Sequence, residues 1–254
     1  MKIIIAGYGF VGKAVFDAFK ETHDTVIVDP KYTTTEIKHH TDADGIIVCV
    51  NAPTRANGTL DVEDLFSVLD QVPLHIPVLI KTTLTPGVAD AIEKSFAELK
   101  ITFNPEFLRQ ATANEDFLNQ TYTVFGGKDN YFWGKLFAEI LPKCNYMISC
   151  TAKEACLVKY SSNSFLALKT SFFNQIFDIC DKEGIDYEVV QHILSADNRI
   201  GASHTQVPGP DGLRGWGGHC FPKDTHAFTQ WASTVGAPIT LVESSIQYNK
   251  KVRK

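Results

Sequence analysis

Along the first 150 residues, short apolar runs alternate with segments of helical period. Lys2-Ile3-Ile4-Ile5-Ala6 is a short apolar, β-branched run, which predicts a strand. Val15, Phe16 and Phe19 then recur at helical spacing, and Thr25-Val26-Ile27-Val28 predicts a second strand. The same reading places strands at Gly45-Ile46-Ile47-Val48-Cys49-Val50, Val78-Leu79-Ile80, Ile101-Thr102-Phe103 and Tyr122-Thr123-Val124-Phe125. Helices are predicted through Leu65 and Leu69 and over 130–141. This alternation predicts an α/β fold over 1–150, a Rossmann-like doubly wound sheet with mostly parallel strands. Polar turns follow the buried strands at Asn51-Ala52-Pro53-Thr54, Lys81-Thr82-Thr83-Leu84-Thr85-Pro86-Gly87 and Asn104-Pro105-Glu106-Phe107. In doubly wound sheets such loops at strand carboxyl ends face the ligand.

The pattern changes at Thr151. Thr151 and Glu154 have the spacing of a capping box and predict the start of a long central helix, which Gly184 ends. A helical domain is therefore expected over 151–254. The long helix carries Leu157, Phe165, Leu168, Phe172, Phe173, Ile176 and Phe177, an apolar face wider than packing on one neighbour requires. Part of that face is expected to form a homodimer surface. Residues 205–212 read as loop, a helix is expected from about Pro222 through His226, Phe228 and Trp231, and a last helix from Pro238 onward.

Composition narrows the function classes. The 254 residues suffice for one large or two modest domains. A net charge of −5 offers no concentrated basic face for nucleic acid. Only the tail Lys250-Lys251-Val252-Arg253-Lys254 is basic, and it reads as a solvated helix C-terminus whose cations complement the macrodipole. The six cysteines, at 49, 144, 150, 156, 180 and 220, lack paired metal-ligand spacing, and the chain opens directly on a strand. A reducing cytoplasm is the expected compartment, with no metal, no nucleic acid and no membrane as partners.

Two glycine turns carry the candidate chemistry. Gly7-Tyr8-Gly9-Phe10-Val11-Gly12 lies between the first strand and the first helix, where glycines permit a tight turn and the approach of a pyrophosphate to the helix N-terminus. Asp29, at the end of the second strand, is placed to accept hydrogen bonds from an adenosine ribose diol. Its charge favours NAD over NADP, an inference that Lys31 weakens slightly. The second turn, Gly215-Trp216-Gly217-Gly218, delivers His219-Cys220-Phe221-Pro222-Lys223-Asp224 to a predicted helix start. A helix N-terminus and Lys223 both favour a thiolate, so Cys220 is a candidate nucleophile. Lys159 and Asn163 stand one turn apart on the long helix and project from one face. Singly, each residue has a plainer reading: a buried cysteine, carboxylates at helix N-termini for Glu106 and Asp224, a snorkelling Lys159, a surface ion pair for Arg199.

Taken together, the chain resembles the nucleotide-sugar 6-dehydrogenases of the UDP-glucose and GDP-mannose dehydrogenase family. The resemblance runs through residues 7–12, Lys81-Thr82-Thr83, the segment 104–117, Lys159-Tyr160-Ser161-Ser162-Asn163, Asn198-Arg199-Ile200-Gly201 and, most specifically, 215–224. It implies an NAD-dependent, two-step oxidation of a sugar CH₂OH to a carboxylate through a thiohemiacetal and a thioester on Cys220. The resemblance gives Lys159 and Asn163 the role of stabilising the oxyanions, gives Asp224 that of positioning water, and has Thr83 and Glu106 support the first oxidation or the water network. It also implies cofactor contacts at Gly7, Gly9, Phe10, Val11, Gly12, Asp29, Lys31, Pro53 and Thr83. Substrate contacts are implied at Glu106, Phe107, Leu108, Arg109, Lys159, Asn163, Gly217 and Lys223, with Arg199 offered to the neighbouring subunit's substrate. UDP-glucose oxidised to UDP-glucuronate is the leading expectation. GDP-mannose, UDP-N-acetylmannosamine, or a non-catalytic NAD-binding partner of a longer relative are the alternatives.

Two departures from the family pattern stand out. Gln110 occupies a position that is commonly glutamate, and an amide cannot act as a base near neutral pH. The sequence also stops where the family continues into a second α/β domain that covers the nucleotide, so a short member lacking that C-terminal nucleotide-binding domain is expected.

Overall fold

The structure, a computed structural model, describes residues 1–55 and 57–253. Lys254, the last residue of the basic tail, lies outside the described residues. They form two compact units, 1–55 with 60–159 and 57–59 with 160–253.

The first unit is built on a seven-stranded sheet. In chain order it contains β1 (Lys2–Ala6), α1 (Phe10–Phe19), β2 (Asp24–Val28), β3 (Gly45–Val48), α2 (Glu63–Leu69), β4 (Val78–Ile80) and α3 (Pro86–Ser95). There follow β5 (Ile101–Phe103), α4 (Ala113–Asn119), β6 (Tyr122–Gly127), α5 (Asn130–Ile140) and β7 (Tyr146–Cys150). The strand order is β2-β1-β3-β4-β5-β6-β7. Every pair is parallel except β5 with β6. This is the expected Rossmann-like sheet. Its central strands are hidden on both faces, which is why Ile3, Ile4, Ile5, Ile46 and Ile47 are all fully buried and why their runs show no polar alternation. On one side an aromatic cluster of Phe19, Phe117, Phe125 and Phe137 meets edge to face, with ring centroids 5.3–6.1 Å apart.

Helices α3, α4 and the strand β7 were not among the expected elements. α3 replaces what reads as polar loop: Pro86 sits in its first turn and the Thr85 hydroxyl accepts from Val88 N–H at 3.4 Å. β7 ends the sheet order with largely exposed side chains, so it shows no burial pattern to read.

The long helix α6 (Ala152–Glu183) starts on the expected capping box. Thr151 N–H donates to Glu154 Oε2 at 2.8 Å and Glu154 N–H donates to Thr151 Oγ1 at 3.3 Å. Gly184, at φ +66°, follows its end. In the second unit, its C-terminal turns are joined by α7 (Tyr187–Ala196), α8 (Cys220–Thr234) and α9 (Thr240–Val252). α7 is a further unexpected helix, capped by Asp186, whose side chain accepts from Glu188 N–H.

The apolar face expected to form a dimer surface is divided. Phe173 is only 2% exposed and packs with Cys180 and Tyr187, while Ile176 and Phe177 lean on the same cluster and Leu168 on another around Trp216 and Ile246. These four belong to the fold of their own unit, which corrects the expectation for them. Phe165 (64% exposed) and Phe172 (54%) remain at the surface, joined by Val158 and Ile179. The basic tail ends a helix as expected, with Lys250 and Lys251 exposed in the last turn of α9, and is corrected at Arg253 alone, which is tied to Asp211 and Arg214.

Candidate functional site

The glycine turn of the first unit closes on backbone. Gly7 takes φ +93° and donates its N–H to Val28 O at 2.9 Å. A Cβ on Gly12 would stand 2.0 Å from Gly7 O, whereas one on Gly9 would meet nothing within 4 Å. Gly9 is the N-cap of α1 and, having no side chain, leaves that end without a side-chain cap, and the space at its Cβ is open. Asp29 stands next to this turn: its Oδ2 accepts from Tyr8 N–H at 2.7 Å and its Oδ1 from Lys31 N–H at 2.8 Å. A carboxylate has about four acceptor sites, so room remains for a ribose diol. An open groove lined by Pro30, Lys31, Tyr32 and Thr33–Thr35 follows directly. Thr82 Oγ1 donates to Val50 O at 2.8 Å, joining the loop after β3, which carries Pro53, to the loop after β4, which carries the half-buried Thr83. The tight backbone turn, the open space at Gly9 and a carboxylate at the strand ends fit a dinucleotide, which Gly7, Gly9, Phe10, Val11, Gly12 and Asp29 could hold.

A second cluster lies in the same unit. Glu106 is buried; its Oε2 accepts from Leu108 N–H at 2.6 Å and its Oε1 lies 3.3 Å from Lys159 Nζ. Lys159 is equally buried, and its Nζ stands 5.4 Å from the centre of the Phe107 ring. The Leu108 side chain belongs to the hydrophobic core, so only its backbone faces Glu106. Arg109 is exposed and held by Asp116, Nη2 to Oδ1 2.6 Å. Gln110 opens an exposed 3-10 turn, Gln110–Thr112.

Lys81 is a residue whose importance the sequence did not disclose. Fully buried, it donates to Asn104 Oδ1 at 2.6 Å and lies over the rings of Phe117 and Phe137. Burial, and secondarily the cation of Lys159, brings its pKa from 10.5 down to about 8 against the opposing pull of Cys49 and Glu106. Asn104 passes the hold onward through Nδ2 to Thr123 Oγ1 (2.8 Å) and Val124 O (2.6 Å), fixing the turn that leads to Glu106. The available signal was a lysine directly after a buried strand, together with an asparagine before Pro105.

In the second unit, Cys220 is the first residue of α8, half-buried. Two residues of the same helix start form a tight polar set with α6. Asp224 is 1% exposed; Lys223 Nζ donates to its Oδ1 at 2.5 Å and Asn163 Nδ2 to its Oδ2 at 2.5 Å. Burying a carboxylate this deeply requires both partners. All six cysteines are thiols. Burial pushes Cys49 and Cys156 up to about 12, and Cys144 and Cys150 upward too, which makes those four poor nucleophiles. Arg199 has a 90% exposed side chain paired with Asp197, and Gly217 lies against the Arg253 guanidinium.

Residues 30–140 match the NAD binding domain of the UDP-glucose/GDP-mannose dehydrogenase family, and residues 153–251 match the central domain of that family. A UDP-glucose 6-dehydrogenase of Rhizobium meliloti is 29% identical over 223 residues, 82% of this chain and 50% of the relative. One of Bacillus subtilis is 32% identical over 218 residues, 82% of this chain and 48% of the relative. The chain thus spans about half the length of these curated relatives. Among solved structures, a UDP-glucose dehydrogenase from Pyrobaculum islandicum superposes with a TM-score of 0.83 at 24% identity, covering 98% of this chain and 68% of that one. A GDP-mannose dehydrogenase from Pseudomonas aeruginosa gives a TM-score of 0.68 at 25% identity, with 99% and 69% covered.

Proposed function

Because this chain belongs to the UDP-glucose/GDP-mannose dehydrogenase family and its cofactor is NAD, we propose that it oxidises the primary alcohol of a nucleotide sugar to a carboxylate in two hydride steps, with UDP-glucose as the leading substrate. NAD⁺ accepts one hydride per step, so two are consumed. The alcohol gives up a hydride and a proton to become an aldehyde. The Cys220 thiolate adds to the aldehyde carbon, the second hydride leaves the thiohemiacetal, and water cleaves the thioester to release the acid and the thiol. Lys159 and Asn163 stabilise the oxyanions by charge and hydrogen bond, Asp224 orders the water, and Thr83 with Glu106 assists the first oxidation. Arg199 serves the substrate of a neighbouring copy.

The observation that carries this reading is the buried Lys223-Asp224-Asn163 set on the helix that Cys220 opens. A purely structural helix start has no need of a carboxylate desolvated so completely, since each buried charge costs several kcal/mol before its partners repay it, by rough estimate. Assay against a panel of nucleotide sugars should give two NADH per sugar consumed. Cys220→Ser should lower acid formation by about 10³-fold or more, the scale at which loss of a covalent nucleophile leaves only binding and polar stabilisation. NAD affinity should stay unchanged. Near-normal acid production by that variant, or one NADH per sugar, would overturn the covalent two-step reading.

The assembly we propose is a homodimer, now resting on the exposed row of α6 alone. Val158, Phe165, Phe172 and Ile179 recur every seven residues, the spacing that keeps one seam of a helix facing a partner. Phe172→Glu should sediment as a monomer at micromolar concentration. A dimer unchanged by that charge would remove α6 from the interface.

A further inference from the structure

The turn that delivers Cys220 is held by amide side chains from two helices. Asn249, buried on α9, accepts Trp216 N–H at Oδ1 (2.8 Å) and donates from Nδ2 to Trp216 O (2.8 Å). One primary amide thereby makes both bonds that a paired strand would make to residue 216. Asn174, buried on α6, accepts at Oδ1 from Gly215 N–H (3.0 Å) and from Arg214 Nε (3.3 Å). The indole N–H of Trp216 is shared by Ser171 Oγ (3.0 Å) and Ser245 Oγ (3.2 Å). Arg253 donates to Arg214 O. The fit is close: Gly215 takes φ +72°, and a Cβ there would stand 2.2 Å from Asn249 Oδ1.

Consecutive residues from 214 to 216 are therefore gripped by side chains that come from 29 to 45 residues away. Such buried amides add little net stability, because each protein bond replaces one to water and an apolar pair of the same shape would serve nearly as well. What they add is position. An apolar contact tolerates sliding, whereas a two-bond amide fixes the peptide plane of Trp216, four residues ahead of the thiol.

We infer that Asn249 and Asn174 are positioning residues for Cys220, setting where the thiol stands at the start of α8. This rests on the covalent role proposed above for Cys220. Both asparagines bond the backbone at 215–216 and act on the thiol through it. Reaction at a thiol demands close alignment, and a displacement near 1 Å costs about 10²-fold. Loosening the grip should lower turnover while leaving cofactor binding, a property of the first unit, intact.

The test uses Asn249→Asp, which keeps the acceptor but loses the donor to Trp216 O, and Asn174→Ala, which removes the acceptor from the other helix. Measurements are made on full-length protein at a temperature where each variant keeps the circular dichroism of wild type. The expected result is a fall in kcat of about 10- to 100-fold with KM for NAD unchanged. The alkylation profile of Cys220 with iodoacetamide should also differ from that of wild type, because the thiol stands differently at the helix start. A merely structural role would lower the melting temperature and leave kcat and the alkylation profile as in wild type. That outcome in either folded variant overturns the inference. The covalent reading fails separately, if Cys220→Ser still makes acid; a shifted alkylation profile in Asn249→Asp would then still show that the amides place the thiol.

Discussion

The chain uses a glycine-rich turn twice, and the two are held by different means. In the first, 7–12, backbone crowds backbone: the glycine hydrogens fill the space between Gly7, Gly12 and the end of β3, where a Cβ on Gly7 would stand 2.9 Å from the Cys49 carbonyl carbon. In the second, 215–218, the crowding comes from Asn249 and Arg253, side chains supplied from the far end of the chain. A turn closed by its own backbone resists change because its obstacles cannot move. A turn held by side chains can be released by editing residues that lie nowhere near it in sequence.

Substitutions at the first turn sharpen the contrast, since its middle and last glycines should respond in opposite ways. Gly12→Val should have the largest effect. Its Cβ would enter the Gly7 carbonyl at 2.0 Å, and a loss beyond about 4 kcal/mol, seen as a collapse of the denaturant midpoint, is expected. A midpoint like that of wild type would mean that the turn is not closed by backbone. Gly9→Ala should have a smaller effect and a purely functional one. Gly9 has an ordinary φ of −73° and open space at its Cβ, so stability should hold or rise by about 0.4–1 kcal/mol. The added methyl stands where the pyrophosphate must approach, and calorimetry should show NAD binding weakened by about tenfold, or about 1.4 kcal/mol. Unchanged NAD affinity would place the pyrophosphate elsewhere.

The same difference decides how much could be read from the sequence. Buried parallel strands such as Lys2–Ala6 announce themselves as unbroken β-branched runs, and the first turn carries its cause in its own glycines. Cys220 was legible because glycines and Pro222 mark a helix start, and the structure puts it at the first residue of α8. Asn249 and Asn174 were not, because their work lies in partners 33 and 41 residues distant and nothing in their immediate neighbours records it, while Lys81 left only its place after a buried strand, its partner Asn104 lying 23 residues away. The face of α6 misled for a related reason. Periodicity identifies apolar positions but not their partners, so Phe173, buried within its unit, and Phe172, exposed beside it, looked alike.

The lysine sealed beneath the sheet's aromatic cluster makes the first unit sensitive to protons. An ordinary lysine loses its proton near 10.5, and Lys81 does so at about 8. Between those values the unfolded chain holds a proton that the folded chain has released, so unfolding takes up a proton and stability rises with pH by at most about 1.4 kcal/mol per unit. Below pH 8 both forms are charged and the fold carries the full cost of an ammonium among phenylalanines, offset in part by Asn104. Cys49, Glu106 and Lys159 are the groups whose charges bear on that site. Mild alkali thus tightens a region where most proteins begin to loosen, and Lys81→Met should erase the rise in denaturant midpoint between pH 8 and pH 9, above which the buried Cys49 and Cys156 thiols, raised to about 12 in the fold, turn stability downward.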